Sequence, residues 1–346
     1  MAEEIATISH QPSAISHQPS AISHRTNAHW NNLKHSPLIT IQTPVYNRRS
    51  TIKRAIDSVQ AQTFRDIEYI IVDDGSDPEQ AIDDIVDEFM KTTDLPVMFI
   101  KKPNGGVHTA RNAAVREARG KFITGVDSDD ELTPDSCQTN IDAWESIPED
   151  KRHLYRGVMS MVRDQTGKLE GELFPEGVNS MKWEDVRAFE LKQKCDHHDL
   201  VRAEILKANL LPEPEGVKFV GEGLLWMKLV MEYKAWCINT IGHIAHLEGN
   251  DHLSKDRKWN LQRCRDSMWG KMYVLNNPEI YGKGFVKYVA DVMRYHMTAE
   301  VLKKVDPEFV KRYPLSGLKN KIWSAILYIP AKLASKIIMP RLLRKG

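Results

Sequence analysis

Between Leu38 and Asp130, four short β-rich runs alternate with helical stripes, and every run ends in a polar cluster. The runs are Leu38–Gln42, Glu68–Val72, Val97–Lys101 and Lys121–Val126. Between them, Ile52, Ile56 and Val59 share one helical face behind a capping Ser50, and Ile82, Ile85, Val86 and Phe89 share another. A third helix is expected over about Val107–Arg119. Strand–helix alternation of this kind predicts a parallel sheet covered on both faces. Ligands of such sheets sit beyond the carboxyl ends of the strands, at the point where the strand order reverses.

The clusters stand at those ends. They are Thr43-Pro44-Val45-Tyr46-Asn47, Asp73-Asp74-Gly75-Ser76, Asn104-Gly105-Gly106 with Arg111-Asn112 behind it, and Asp127-Ser128-Asp129-Asp130. Four polar groups converging on one rim call for a multivalent polar ligand, and a nucleoside diphosphate held through a divalent cation is the natural one. Mg²⁺ or Mn²⁺ prefers carboxylate and phosphate oxygens and takes one or two protein carboxylates. Asp127 and Asp129, two apart on a segment read as extended, are expected to point the same way, one to the metal and one to a sugar or ribose hydroxyl. Gly105 and Gly106 let backbone approach a ligand, and Arg111 brings charge to a diphosphate. An isolated Asp-x-Asp means little, since chance predicts about two in a 346-residue chain with 24 Asp. Its place in the ordered series gives it meaning.

The motifs TPVYN, QTFRDIEYIIVDDGS, NGGVHTARN and GKFITGVDSDDEL together resemble the donor half of family 2 inverting glycosyltransferases. The resemblance is strong over about 36–132 and continues more faintly to 254. It implies an α/β GT-A nucleotide-diphospho-sugar transferase fold, a Rossmann-like, mostly parallel sheet flanked by helices. It also implies transfer from a nucleotide-sugar, a UDP-sugar in particular, to a lipid-linked or polysaccharide acceptor in bacterial surface polysaccharide synthesis. By this resemblance Pro44, Val45 and Tyr46 lie against uracil and ribose, Asp74 accepts a hydrogen bond from the base, and Asp73 supports it. Asn104, Gly105, Gly106, Arg111, Asp127 and Ser128 contact the diphosphate and donor sugar, and Asp127 and Asp129 hold the metal.

The family's usual base is the Asp of a Glu-Asp pair before a helix, and here Gly223 stands in its place after Glu222. Glu222 is either a carboxylate base reaching one residue further or the cap of the following helix, whose first turn favours acids. His197 and His198 match the acceptor side or are structural. His246 and His252 fall where a loop closes over the diphosphate, either one a candidate third metal ligand. The absent Asp leaves a second reading, a nucleotide-sugar-binding protein without turnover. The absence of a GxGxxG opening the first helix argues against a dehydrogenase, and a glycoside hydrolase fits the ordered nucleotide-type clusters poorly.

The flanks differ from this body. ISHQPSA occurs at 8–14 and again at 15–21, and residues 1–35 are expected to be disordered. They lack the apolar core of a secretory leader. The acceptor half is expected over 133–254, with a hairpin around 164–167 and helices near 183–192, 200–208 and 224–233, followed by a helical extension over 255–315. No acidic residue follows Glu308, so the last 38 residues carry +9 of a net +1. A basic tail on an acidic body is not the footprint of a nucleic-acid binder. Residues 316–346 mix apolar and basic side chains, are broken by Pro330 and Pro340, and predict either an amphipathic contact with an anionic membrane or a terminal helix packed on the rest of the chain. No run reaches the roughly 18 apolar residues of a membrane span. Four scattered cysteines exclude a disulfide scaffold and fit a reducing interior. The expected location is therefore cytoplasmic, on the inner face of a membrane.

Overall fold

A computed structural model describes residues 22–175, 180–181, 197–229, 231–247, 260–277 and 285–343. The β-rich runs form β2 (Ile39–Val45), β3 (Ile67–Asp73), β4 (Val97–Lys101) and β5 (Phe122–Gly125). Their connecting stripes form α2 (Ile52–Gln60), α3 (Asp83–Thr92) and α4 (Val107–Glu117). Ser50 does not cap α2, whose N-cap is Thr51 without a side-chain cap bond. All seven residues of β3 are buried, as expected of a strand covered on both faces. Successive side chains alternate between the two sides of the sheet. Ile67, Tyr69 and Ile71 pack with Ile52, Val59 and Val86 on one side, while Ile70 and Val72 pack with Ala110 and Ala114 on the other.

Strands β4, β3, β2 and β5 lie side by side, all parallel. The chain builds outward from β2 through β3 to β4, then returns to place β5 on the opposite side of β2. The order therefore reverses between β2 and β5. Beyond β5 the sheet continues with β9 (His197–Arg202), β7 (Tyr155–Asp164) and β10 (Lys234–Ala245), and ends at β6 (Glu131–Leu132). Strand β9 is antiparallel to both β5 and β7. Between β6 and β7, α5 (Ser136–Glu145) covers the same side as α2, and a two-residue β8 (Ser180–Met181) pairs with β10. Residues 164–167 turn as expected, with Lys168 O accepting from Asp164 N.

Three expectations need correction. Residues 22–35 are not a free tail: β1 (Ser23–Thr26) pairs antiparallel with β4, and α1 (Ala28–Asn31) follows. Asn27 secures them, its side chain accepting from Trp30 N at 3.0 Å and Val97 N at 3.1 Å while donating to Leu95 O at 2.8 Å. Trp30 is buried beneath the Arg119 guanidinium, 3.7 Å from its ring. The repeats at 8–21 and the helix expected at 183–192 lie outside the described residues. Second, residues 200–202 belong to strand β9, and only α6 (Ala203–Ala208) is helical there. Third, Pro330 and Pro340 do not break the tail.

The extension comprises α8 (Leu261–Asn276), α9 (Phe285–Leu302), α10 (Pro307–Arg312) and α11 (Leu318–Leu343). The cost of about 3 kcal/mol for an interior proline is offset because α11 is fastened to α9 ahead of Pro330 and is buried again just after it. Trp323 and Leu327 pack against Tyr288 and Val292, and Ala331 is fully buried. Cys264, Met268 and Trp269 of α8 join Val217 and Val220, with Leu224 and Leu225 of α7 (Gly223–Leu229) packed against the same cluster. The extension is thereby attached to the loop that precedes α7.

Candidate active site at the switch point

Beyond β2 and β3, the two loops are laced together. Asn47 adopts φ +53, a left-handed conformation that Asn tolerates. Its side chain donates to Asp77 at 2.8 Å and accepts from Asp77 N at 2.9 Å. Pro44 and Val45 are buried within β2, so of the three residues expected against uracil only Tyr46 faces outward. Asp73 is also buried, its carboxylate accepting from Ser76 N at 2.9 Å.

Asp74 is 2% exposed, and both its oxygens accept protein donors. Gly105 N lies 2.9 Å away, Gly106 N 2.7 Å, and Lys102 Nζ 2.5 Å. Charge-assisted bonds of this kind are about twice as strong as neutral ones. Asp74 is thus the brace that shapes the Asn104–Gly106 loop, and its carboxylate is closed to solvent. Gly106, at φ +98, lies directly under the next layer, since a Cβ there would meet Lys218 O at 1.9 Å. From above, Lys218 Nζ donates to Asn104 O.

Arg111 projects from α4 into the gap beyond β5. It donates to the Asp127 carboxylate at 2.7 Å and also pairs with the Glu222 carboxylate. Burial opposes ionisation of Asp127, but Arg111, with His243 and Arg48, outweighs it and holds the carboxyl below its ordinary range. The 127–130 segment is a turn, with Asp130 N donating to Asp127 O at 3.0 Å, and not the extended run expected. Asp127 and Asp129 consequently face different arginines: Asp129 lies 3.7 Å from Arg48 Nε, and its carbonyl accepts from Arg54 at 2.9 Å. Ser128 between them is buried. Asp130 fastens the turn to β10, accepting from His246 N at 2.8 Å and lying 2.9 Å from His243 Nε2.

No group of three His, Cys, Asp or Glu among the described residues forms a ready-made cation cage. Asp127, with half its side chain exposed, and Asp129 are carboxylates of this turn, a donor type that Mg²⁺ or Mn²⁺ takes in ones or twos beside phosphate oxygens and water. His246 pairs through Nε2 with Glu131 at 2.7 Å, beside the turn. His252 lies outside the described residues.

Glu222 stands immediately before α7, and its carbonyl accepts from Trp226 N at 3.0 Å. Its backbone opens the helix, while its side chain pairs with Arg111. His198 is a correction. It is 4% exposed, 3.0 Å from Thr124 Oγ1, and burial, with His243 nearby, pushes its pKa down to about 3. It is part of the sheet interior and makes no open acceptor surface. His197 stacks on Phe174 at 5.0 Å.

Four contributors were not legible in the sequence: Lys102, Lys218, Arg48 and Asp266. Asp266, on α8, accepts from Lys218 N at 2.8 Å and from Gln262 at 2.9 Å, and burial raises its pKa despite these bonds. It couples the helical extension to the loop that carries Lys218 and Glu222. Each of these residues lies far along the chain from its partner, and no local pattern announces it.

Residues 40–180 match the family model described as Glycosyl transferase family 2. Glycosyltransferase GlyA of Streptococcus pneumoniae is 28% identical over 152 residues, 44% of this chain and 21% of that protein. The hyaluronan synthase of Pasteurella multocida is 36% identical over 108 residues, 31% of this chain and 11% of that protein. The chain thus spans about a fifth or less of the length of these two curated relatives. S. aureus TarS 1–349, solved in complex with UDP-GlcNAc, superposes with a TM-score of 0.53 at 15% identity, covering 86% of this chain and 91% of that one. That likeness shows the fold, a GT-A-like mixed sheet with a helical C-terminal region. Over residues 40–180, the chain is similar to glycosyl transferase family 2.

Proposed function

We propose that this protein is an inverting, metal-dependent glycosyltransferase that moves a sugar from a UDP-sugar to a hydroxyl of a lipid-linked or polysaccharide acceptor. Its proposed setting is surface polysaccharide synthesis at the cytoplasmic face of a bacterial membrane. The observation that carries the reading is the Asp127–Arg111–Glu222 ion triad beyond β5. One guanidinium joins an Asp of the Asp-x-Asp turn to a carboxylate almost 100 residues later, at the place where open α/β sheets bind ligands. The relatives named above, one of them a hyaluronan synthase, support the polysaccharide setting.

Exposed Tyr46 offers its ring to the nucleobase. Asp74 keeps the Asn104–Gly106 loop in shape for the diphosphate. When bound, Mg²⁺ or Mn²⁺ on Asp127 and Asp129 supplies positive charge against the departing diphosphate. Arg111, attracted to the incoming phosphates, releases Glu222, because a planar guanidinium pairs bidentately with phosphate. Glu222 then removes the acceptor hydroxyl proton, and attack from the face opposite the diphosphate inverts the anomeric centre. His246 stays with Glu131 and supports the turn.

The Arg111–Glu222 pair also favours a second reading, a donor-binding protein that turns over poorly, should that pair persist with donor bound. Purified protein incubated with Mn²⁺, a panel of nucleotide sugars and candidate acceptors separates the two. Acceptor-dependent UDP release, lost in Asp129→Asn and in Glu222→Gln, supports transfer. Thermal stabilisation by a UDP-sugar with no release under any condition supports binding alone.

A further inference from the structure

Helix α11 has two faces. One is fastened to the extension: Asn320 accepts from Tyr288 Oη at 2.6 Å, Tyr328 donates to Glu300 at 3.1 Å, and Trp323 and Leu327 pack on α9. The other face carries Leu318, Ile322, Ile326, Ile329, Leu333 and Ile337, which are 51% to 76% exposed. At 3.6 residues per turn these six fall within about 100° of arc, on a line about 28 Å long. Soluble proteins rarely leave a continuous apolar stripe of this kind uncovered. Exposed Lys321, Lys332 and Lys336 line one border of it.

We infer that this stripe is a docking surface for an anionic lipid bilayer, on which α11 lies flat. Charge selects the occupant. No acidic residue follows Glu308, so a second copy of α11 laid against the first would set lysines against lysines with no carboxylate on either helix to pair them. Anionic headgroups complement those lysines, and the six aliphatic side chains reach the acyl boundary beneath them. Because the opposite face is held by α9, the helix cannot rotate or insert across the bilayer. Among the described residues no helix is long and apolar enough to span one. The inference deepens the proposed use of a lipid-linked acceptor but rests only on this surface and not on the transfer chemistry.

The test uses the full chain and co-sedimentation with vesicles, without donor or acceptor. Wild type is expected to bind phosphatidylglycerol–phosphatidylcholine vesicles at least about tenfold more tightly than phosphatidylcholine alone, and less tightly in high salt. Two variants, I326D/I329D and K321E/K336E, are each expected to lose at least about tenfold. Both keep the wild-type melting temperature and circular dichroism, since these side chains are exposed. Equal binding of both vesicle types, binding of neither, or wild-type binding by I326D/I329D overturns the inference. So does a wild-type dimer in light scattering that I326D/I329D converts to monomer. Donor hydrolysis by I326D/I329D, measured in parallel, separates failure of docking from failure of the transfer reading.

Discussion

Replacing Gly106 with Ala tests the coupling between the donor loop and the loop that bears Glu222. The residue adopts φ +98 and ψ 157, a region essentially reserved for glycine. Holding alanine there costs about 1–3 kcal/mol. The added Cβ would stand 1.9 Å from Lys218 O, so one of the two backbones must retreat by about 1.5 Å to reach an ordinary contact. If the 218 loop moves, the 2.8 Å bond from Lys218 N to Asp266 is lost; if the 106 loop moves, the 2.7 Å bond from Gly106 N to Asp74 is lost. Either is a bond to a carboxylate, worth about 1.5–3 kcal/mol. The combined expectation is a loss of about 3–5 kcal/mol in urea unfolding, a large share of an ordinary domain's stability. Activity falls further, because Glu222 lies four residues after Lys218, and misplacement by about 1 Å can cost about 10²-fold. Gly223→Ala is the control: nothing lies within 4 Å of its Cβ, and it should unfold like wild type or slightly later. A Gly106→Ala protein within about 1 kcal/mol of wild type and with full transfer would refute the reasoning.

Asp129→Asn should retain the wild-type melting curve and lose at least about 10²-fold in kcat with Mn²⁺ present, the scale of removing a principal electrostatic stabiliser. Asp266→Ala should lower transfer and destabilise by about 1–3 kcal/mol, with Asp266→Asn recovering part of both because it keeps one acceptor for Lys218 N. Glu68 is fully buried and accepts from Thr40 Oγ1 at 2.6 Å and from Arg119 N at 2.6 Å and Nε at 3.1 Å, so Glu68→Ala should cost about 3–5 kcal/mol in chemical unfolding. His198 has its pKa depressed from 6.5 to about 3, so between those values the unfolded chain binds a proton that the folded one refuses. Stability therefore falls as pH drops through this window, by about 1.4 kcal/mol per unit at most, and His198→Gln should flatten the slope of unfolding free energy between pH 6.5 and pH 5.

Much of the donor half was legible because its signals are local. A β-rich run such as Glu68–Val72 and the polar residues after it are neighbours in sequence, and the parallel order of β2 to β5 follows from the alternation with helices. The sequence misled wherever a local signal was overridden by distant packing. Low hydrophobicity marked residues 22–35 as a tail, yet Asn27 reaches Leu95 and Val97 and draws a strand onto the sheet edge. Two prolines marked a broken helix, yet Trp323, Leu327 and Ala331 hold α11 continuous. A His-His-Asp string suggested an acceptor surface, yet the register of β9 against β5 and β7 turns His198 into the interior.

Alone, the sequence determined which residues end the strands and that those ends gather at one rim, because strand periodicity and crossover handedness depend only on nearby residues and L-chirality. Tertiary structure decided how the gathered groups are paired. Asp74 with the glycine loop, Arg111 with Asp127 and Glu222, and Asp266 with Lys218 are contacts between segments 16 to 111 residues apart. Such pairings are set by how the layers pack, and packing is a property of the whole chain.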